Sequence, residues 1–340
     1  MHGRRVDVAL ARPLPGLLRL AEWLTPSFYI DFGRPCNSAC LYCAVPPHED
    51  AQGFLPFDEV PAIVAAGRDV GCDRAILIGG EPTIYPHLDR VLAALADAGL
   101  AGNHIVMTNG LKLADPGFVE RLADGGVATL HLSIDTDDDA TYDRLSRSRG
   151  QLARQRKGLD RALGHGGLNA YVYTAVTRVN VAGLSDLLRS LHDRADRLGL
   201  AQPPPIVLAI VKPLGDAARH ADELLLGPAE AVGLLRPVLA LADRLGITAG
   251  VRNVQACLAA DEVARIVDYY LDDFSVEVAT GQRLPFSHGE YWHKPAPCDG
   301  CGHARICTGI YRDVARRDGL DDFRAIGCDG LAEDASGATS

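Results

Sequence analysis

The chain has 340 residues, of which 47% are apolar, and its 34 basic and 44 acidic residues give a formal net charge of −10. This length can form one large hydrophobic core and a smaller appended module, and the lack of a basic block argues against a surface that follows nucleic-acid phosphates. Charged residues interrupt the apolar residues near the N-terminus, and no stretch approaches the length that spans a bilayer, so we expect a cytoplasmic protein without nucleic-acid or membrane partners.

Strand and helix patterns alternate along the first two thirds of the chain, after a short expected helix over residues 17–23. The predicted strands are Phe28–Phe32, Ala75–Ile78, His104–Thr108, Thr129–Ile134, Tyr171–Thr177 and Ile206–Val211. The predicted helices between them are Phe57–Val70, Leu88–Ala98, Gly117–Ala123, Gln151–Leu163 and Leu184–Leu198. Six such units in series predict an α/β fold with a parallel sheet, a partial (β/α)6 TIM-like barrel. The alternative is an open doubly wound sheet, but no G-x-G-x-x-G motif follows the first strand.

The alternation ends near Pro213, and a different C-terminal segment follows. A helical stretch, Pro228–Leu245, contains Pro237, which predicts a kink. Two short strand patterns, Phe274–Val278 and Gln282–Phe286, flank Thr-Gly and predict a β-hairpin. We therefore expect an N-terminal extension over 1–27, a barrel over 28–250, a cluster-binding module over 251–331 and a disordered tail over 332–340.

Three cysteines, Cys36, Cys40 and Cys43, follow directly after the first predicted strand. Catalytic loops of βα barrels lie at this end of the strands. Three thiolates within eight residues can bind three irons of one compact cluster and leave the fourth iron open. A structural zinc site needs a fourth ligand, and none lies near in the sequence. In a cytoplasmic protein, the nine cysteines indicate metal or redox sites rather than disulfides.

The spacing C-x3-C-x2-C, with the aromatic Tyr42 before the third cysteine, resembles the signature of the radical S-adenosylmethionine (SAM) superfamily. That resemblance implies a [4Fe–4S] cluster on these cysteines whose open iron binds SAM. It also implies reductive cleavage of SAM to a 5′-deoxyadenosyl radical, which abstracts a hydrogen atom from the substrate. An external electron donor such as flavodoxin or ferredoxin is then expected.

Further residues support this resemblance at the ends of the predicted strands. The second strand ends in Gly79, Gly80, Glu81 and Pro82, the GGEP motif that binds the SAM amino group in the family. Its glycines permit close approach of the backbone to a ligand, and the glutamate offers an acceptor. By the same resemblance, the other cofactor-binding residues are Ser133 and Asp135 for the ribose, Arg149 near the SAM carboxylate, and Asn109 and Asn180 at the mouth of the barrel. Capping or turn roles are the alternative for Asn109, Arg149 and Asn180.

A second group of cysteines follows the predicted hairpin. Its members are Cys298, Cys301, Cys307 and Cys328, and four thiolates complete a zinc or an iron–sulfur site. The segment is similar to the SPASM/twitch extensions of radical SAM enzymes and implies an auxiliary [4Fe–4S] cluster of the single-cluster twitch type. The wide gap before Cys328 leaves His303 or Cys257 open as the fourth ligand.

Two cysteines remain outside both groups. Cys72 precedes the second strand, where a small buried hydrophobe is expected. Cys257 lies between the barrel and the cluster module, where it serves either core packing or hydrogen donation to a substrate radical.

The expected function is radical chemistry on a small natural product, such as an aminosugar, a cyclitol or a nucleoside. The enzyme is then an oxidoreductase, either an epimerase with Cys257 as catalytic hydrogen donor or a dehydrogenase. The alternative is a maturase of a ribosomally synthesised peptide. A non-enzymatic electron carrier would need neither the GGEP motif nor the barrel.

Overall fold

A seven-stranded parallel sheet forms the centre of the protein. The computed structural model describes residues 27–45, 53–100, 102–269, 274–276, 283–285, 292–304, 307 and 309–325. The strands of the sheet are β1 (Ser27–Asp31), β2 (Arg74–Ile78), β3 (His104–Thr108), β4 (Val127–Ser133), β5 (Asn169–Val176), β6 (Ile206–Ile210) and β7 (Ala249–Arg252). They lie side by side in chain order, and every neighbouring pair is parallel.

Helices follow the strands and cover one face of the sheet. They are α1 (Val60–Asp69), α2 (Leu88–Asp97), α3 (Phe118–Asp124), α4 (Asp139–Ser146), α5 (Leu152–Gly164), α6 (Leu184–Leu198), α7 (Gly215–Arg219), α8 (Ala221–Leu224) and α9 (Pro228–Arg244). In α6, the leucines at 184, 187, 188 and 191 are buried. This spacing places them on one stripe of a helix, and that stripe packs into the core against the strands.

The strand order decides between the two predicted architectures. In a doubly wound sheet the order reverses at a switch point, whereas here it runs from β1 to β7 without reversal. Right-handed crossovers in one direction place all the helices on one side of the sheet, as in a barrel. Among the described strands, β1 and β7 do not pair, so the sheet is open. The α/β partial barrel is therefore confirmed.

The predicted number of strands was too small by one. Strand β7 adds to β6, with Ile206 opposite Ala249 and Leu208 opposite Val251. Its four residues include a glycine and are too few to give a clear strand pattern. Pairing with β6, rather than local preference, places them in the sheet. The expected helix over residues 17–23 lies outside the described residues.

Residues 221–244 are long and apolar enough to cross a membrane by length and composition, contrary to the expectation from the sequence. In the fold, 56% of the apolar 18-residue window within this stretch is buried inside the protein. Its main helix, α9, contacts α6 and β7 and buries Leu235, Val238 and Leu239 in the core. The stretch thus forms part of the helical layer of the barrel.

The C-terminal segment contains two small antiparallel sheets. The strands β8 (Phe274–Val276) and β9 (Arg283–Pro285) form the predicted hairpin, whose turn lies outside the described residues. An unpredicted pair follows, with β10 (Trp292–His293) beside β11 (Ile310–Tyr311), and leads into α10 (Arg312–Asp318). Cys328 and the tail over 332–340 also lie outside the described residues.

Candidate active site

A cavity of about 360 Å³ opens at the carboxyl ends of the parallel strands. The three cysteines of the loop after β1, Cys36, Cys40 and Cys43, line it together. This loop is tied to the end of α4 by two main-chain hydrogen bonds, from Ala39 N to Ser146 O (3.1 Å) and from Leu41 N to Leu145 O (2.8 Å). The sequence motif therefore occupies the edge of the sheet at which βα-barrel enzymes place their cofactors.

Two glycines press against the ends of the cysteine loop. The N–H of Gly80 donates to Gly33 O at 2.8 Å, and a Cβ atom at Gly80 would lie 2.3 Å from the carbonyl oxygens of both Arg34 and Pro35. At the other end, a Cβ at Gly215 would lie 2.5 Å from Cys43 O. Real Cβ atoms do not approach backbone so closely, so both positions require glycine. The loop is thereby clamped at both ends before any cofactor binds.

Glu81 ties the GGEP turn to the end of β3. Its carboxylate is 2% exposed and accepts four hydrogen bonds, from both Thr83 N and Thr83 Oγ1, from Thr108 Oγ1 (2.6 Å) and from Asn109 N (2.7 Å). Burial raises the pKa of the Glu81 carboxyl, and the hydrogen bonds from Asn109, Thr108 and Thr83 oppose that rise. Pro82 starts a short 3-10 turn behind it, Pro82–Ile84. Glu81 lines the cavity, but its oxygens already bind protein groups.

Asp135 anchors the cysteine loop to the end of β4. One oxygen accepts from Ala175 N at 2.8 Å, and the other accepts from the Tyr42 hydroxyl. Burial raises the pKa of Asp135 to about 6, and the hydrogen bond from Tyr42 opposes this rise. Both oxygens of Asp135, the carboxylate predicted to bind ribose, therefore accept hydrogen bonds from protein groups.

The environment of the Cys36 and Cys40 thiols favours their neutral form in the protein alone. Burial raises the pKa of Cys36 to about 11 and raises the pKa of Cys40 further, with Asp135 adding to the rise at Cys40. Such thiols give up their protons when iron binds them, because a coordinating thiol is deprotonated outright. These two thiols therefore carry no charge until a metal group binds them.

The donor set fits a cluster better than a single ion. Within the described ranges, no three Cys, His, Asp or Glu side chains converge closely enough to hold one metal ion. The three cysteines line the same cavity within eight residues of one loop, where each thiolate can bind a different iron of a cubane. Soft sulfur donors and the clamped loop therefore suit a [4Fe–4S] cluster with one iron open to a further ligand.

The other predicted cofactor residues separate into two sets. Asn109 and Ser133 line the cavity, and the Asn109 side chain donates to Asn37 Oδ1 in the cysteine loop at 2.7 Å. Arg149 is exposed and does not line the cavity. Asn180 is 2% exposed, and its amide binds main-chain groups of Asp135, Ala175 and Thr177. Its contacts hold the turn after β5.

Four cavity residues had no signal in the sequence: Tyr173, Lys212, Asn253 and Gln155. They come from β5, from the residues after β6 and β7, and from α5. Lys212 is the only cationic side chain among the described cavity residues, and its ammonium lies 5.1 Å and 5.4 Å from the ring centroids of Trp292 and Tyr311. Only the fold brings these distant residues together.

The C-terminal cysteines meet in a second, smaller cavity. Cys257, Cys298, Cys301 and Cys307 line it together with His303. Burial raises the pKa of both Cys257 and Cys298, and neighbouring thiols add to the rise, whereas burial lowers the pKa of His303. Cys257 does not line the barrel cavity. The thiol considered as a hydrogen donor therefore lies among the predicted auxiliary ligands.

An open parallel barrel with three cysteines on its first loop defines a cofactor-dependent α/β-barrel protein. Residues 30–191 match the sequence profile described as the Radical SAM superfamily. These residues form a radical SAM domain, and domains of this superfamily bind SAM and a [4Fe–4S] cluster.

Two relatives match a longer stretch of the chain than these residues. One is an AdoMet-dependent heme synthase of Nitratidesulfovibrio vulgaris, 28% identical over 56% of this chain and 50% of that protein. Another is a GTP 3′,8-cyclase of Rhizobium meliloti, 30% identical over 61% of each chain. The chain thus spans about half the length of the heme synthase that it matches.

Solved structures share the fold over a longer range. Streptococcus suis SuiB bound to S-adenosylmethionine matches with a TM-score of 0.61 and 14% identity, over 91% of this chain and 79% of SuiB. Native anSMEcpe with bound AdoMet matches with a TM-score of 0.60 and 14% identity, over 89% of this chain and 94% of that chain. At these identities the likeness concerns the fold alone.

Proposed function

We propose that this enzyme abstracts a hydrogen atom from a small natural product in the barrel cavity and oxidises it. The observation that carries the proposal is one cavity lined both by the three loop cysteines and by Lys212. Bound to Cys36, Cys40 and Cys43, a [4Fe–4S] cluster with SAM supplies a 5′-deoxyadenosyl radical, and a second cluster supplies a one-electron acceptor.

The chain's own residues keep the cluster loop in place. Gly80 and Gly215 fix its two ends by close backbone contact, and the hydrogen bond from Tyr42 to Asp135 anchors the residue before Cys43. Glu81 holds the GGEP turn against β3, so the backbone of Gly79 and Gly80 stays at the cavity wall. These residues keep the SAM-binding loop and turn in fixed positions. Fixed positions matter because a displacement of about 1 Å lowers the rate of a reacting group severely.

The proposed substrate site is formed by cavity residues from the ends of β3, β5, β6 and β7. Met107 and Tyr173 offer apolar and aromatic surface, while Lys212 and Asn253 offer polar groups at the ends of β6 and β7. The whole cavity, which the substrate shares with SAM, has a volume of about 360 Å³, in the range of small-molecule sites. An aminosugar, a cyclitol or a nucleoside fits this description.

Cys257 supports the choice of oxidation over epimerisation. Its thiol faces the second cavity with Cys298, Cys301 and Cys307, which together make a four-thiolate ligand set. Among the described cysteines, only the three proposed cluster ligands line the barrel cavity. The substrate radical then loses a second electron and a proton, so a C=C or C=O bond forms and the product is two hydrogens lighter.

The experiment is anaerobic reconstitution, followed by reduction and a screen of candidate substrates. We expect a brown protein that converts SAM to 5′-deoxyadenosine, faster with the true substrate, and a product two mass units lighter. Turnover in D2O distinguishes oxidation from epimerisation. In an epimerisation, hydrogen return from a thiol would place one deuterium in a product of otherwise unchanged composition. Such a product would reject oxidation, and stimulation only by peptides would favour a peptide maturase.

The proposal includes an external reductant. A cytoplasmic flavodoxin or ferredoxin would deliver the electron that SAM cleavage consumes. Dithionite replaces this partner in the experiment, so failure of one natural donor does not affect the test of the chemistry.

A further inference from the structure

Gln155, on α5, connects the ends of two strands at the cavity wall. Its side chain is 4% exposed, and its Nε2 donates to Asn109 O at 2.8 Å and to Ser133 O at 3.1 Å. Carbonyl oxygens only accept hydrogen bonds, so the amide must present its NH2 group to both of them. The position of Oε1 is therefore fixed by the two strand ends.

That oxygen lacks a hydrogen-bond partner within the part of the chain that the structure describes. Gln155 lines the barrel cavity beside Asn109 and Ser133. A buried carbonyl without a donor is costly, and most such oxygens in proteins are paired. A ligand in the cavity is the natural source of the missing donor.

Neighbouring acceptors on this wall are already engaged. Asp135 accepts from Tyr42 and Ala175, and Glu81 accepts four hydrogen bonds from its own neighbours. Oε1 of Gln155 is an acceptor that remains without a donor on the wall formed by the ends of β3 and β4. A neutral amide oxygen suits a neutral donor such as a hydroxyl.

We propose that Gln155 accepts a hydrogen bond from a ribose hydroxyl of bound SAM. The amide lies on the cysteine side of the cavity, since Asn109, whose carbonyl it binds, also contacts Asn37 of the cysteine loop. Gln155 thus takes the role that the sequence pattern suggested for Asp135. This inference rests on the proposed binding of SAM at Cys36, Cys40 and Cys43.

The test measures SAM affinity without turnover. Equilibrium dialysis on the reconstituted, oxidised enzyme gives Kd for SAM and for its 2′-deoxy and 3′-deoxy analogues. With Gln155→Met we expect Kd for SAM to rise about tenfold, which equals about 1.4 kcal/mol. For one of the two analogues, the variant and the wild type should have the same Kd, because the lost hydroxyl and the lost acceptor belong to one bond.

Two controls separate binding from folding. Gln151→Met makes the same change four residues earlier, at a side chain that does not line the cavity, and should leave Kd unchanged. If Gln155→Met does not fold, Gln155→Asn withdraws the oxygen while keeping an amide, and the same pattern is expected.

The outcomes are distinct. Equal losses of affinity for SAM and for both analogues, or no loss at all, would overturn the role of Gln155 while leaving SAM binding intact. A wild-type enzyme that binds no SAM would overturn the proposed function, and the inference with it.

Discussion

The two cysteine groups of this protein are built in opposite ways. The barrel group lies on one short loop that β1, α4 and two glycines hold from all sides. The C-terminal group joins Cys257, after β7, to a segment that begins at Cys298. A local motif thus contains every cysteine of the first site, whereas Cys257 joins the other thiols of the second site only once the chain has folded. The comparison predicts a rigid barrel site and a C-terminal site that depends on every one of its thiols.

Cys257→Ala should have the largest effect on the C-terminal site. Removal of one of four thiolates should release that cluster, so iron falls from about eight to about four atoms per chain. Substrate turnover should stop, while reductive cleavage of SAM continues. Cys72→Ala, at a buried thiol outside both cavities, is the control and should change neither quantity.

An unchanged iron content in Cys257→Ala would instead separate this thiol from the cluster. If the wild type makes an isomer of its substrate and Cys257→Ala does not, with both clusters intact, Cys257 is the hydrogen donor. Iron analysis and product mass together decide between these roles.

Gly80→Ala should damage the barrel site selectively. The new methyl group would meet two backbone oxygens at 2.3 Å, and overpacking of this kind costs about 1–3 kcal/mol. We expect the loop to move and the barrel cluster to be lost during purification. Gly233→Ala is the matched control, because no atom lies within 4 Å of its Cβ and alanine is favoured in a helix by about 1 kcal/mol. Equal iron retention in the two variants would contradict the clamp.

Tyr42→Phe should have a smaller effect at the same loop. It removes the hydroxyl that donates to Asp135, and a buried acceptor left unpaired costs about 1–3 kcal/mol. Urea unfolding measures this loss. Tyr85→Phe removes a bond to the carbonyl of Leu55 (2.8 Å) away from the cavity, and should lower stability without weakening SAM binding. If Tyr42→Phe bound SAM as tightly as Tyr85→Phe, the anchor would be irrelevant to the site.

The smallest expected effect concerns His104, the first residue of β3, at the end of the strand away from the cavity. His104 Nδ1 accepts from Ala75 N at 3.2 Å, and Nε2 donates to Leu100 O at 3.0 Å. Burial lowers the pKa of His104 from 6.5, so below that pH the unfolded chain binds a proton that the folded chain does not. Stability should therefore fall as pH drops below 6.5, by at most about 1.4 kcal/mol per pH unit from this residue.

His104→Gln should flatten that slope, measured by urea unfolding between about pH 5 and 8. The Cys257→Ala variant should keep the wild-type slope, because His104 belongs to the barrel. A slope that stays the same in His104→Gln would show that other groups control the acid sensitivity.

Much of the barrel could be predicted because its signals are local. The strand His104–Thr108 and the helix Leu184–Leu198 have the predicted bounds, since buried apolar positions repeat with the period of each element. The short strand β7 was missed, because its pairing with β6 rather than its own residues places it in the sheet. Long-range contacts of this kind leave little trace in a local pattern.

The candidate site divides in the same way. Motif spacing identified Cys36, Cys40 and Cys43, and the structure places them together. The sequence motifs gave no indication of Gln155 or Lys212. These residues reach the cavity because α5 and the end of β6 border it. Nor did the motifs reveal that Asp135 binds Tyr42, a contact across 93 residues.

The central claim is that SAM is cleaved at a cluster held by the loop after β1 and not at the C-terminal cysteines. Its most direct test is the triple variant Cys36→Ala, Cys40→Ala, Cys43→Ala, reconstituted beside the wild type and reduced with dithionite. The account predicts no 5′-deoxyadenosine from the variant, with about four of about eight irons retained on the C-terminal cysteines. Production of 5′-deoxyadenosine by the triple variant would contradict it.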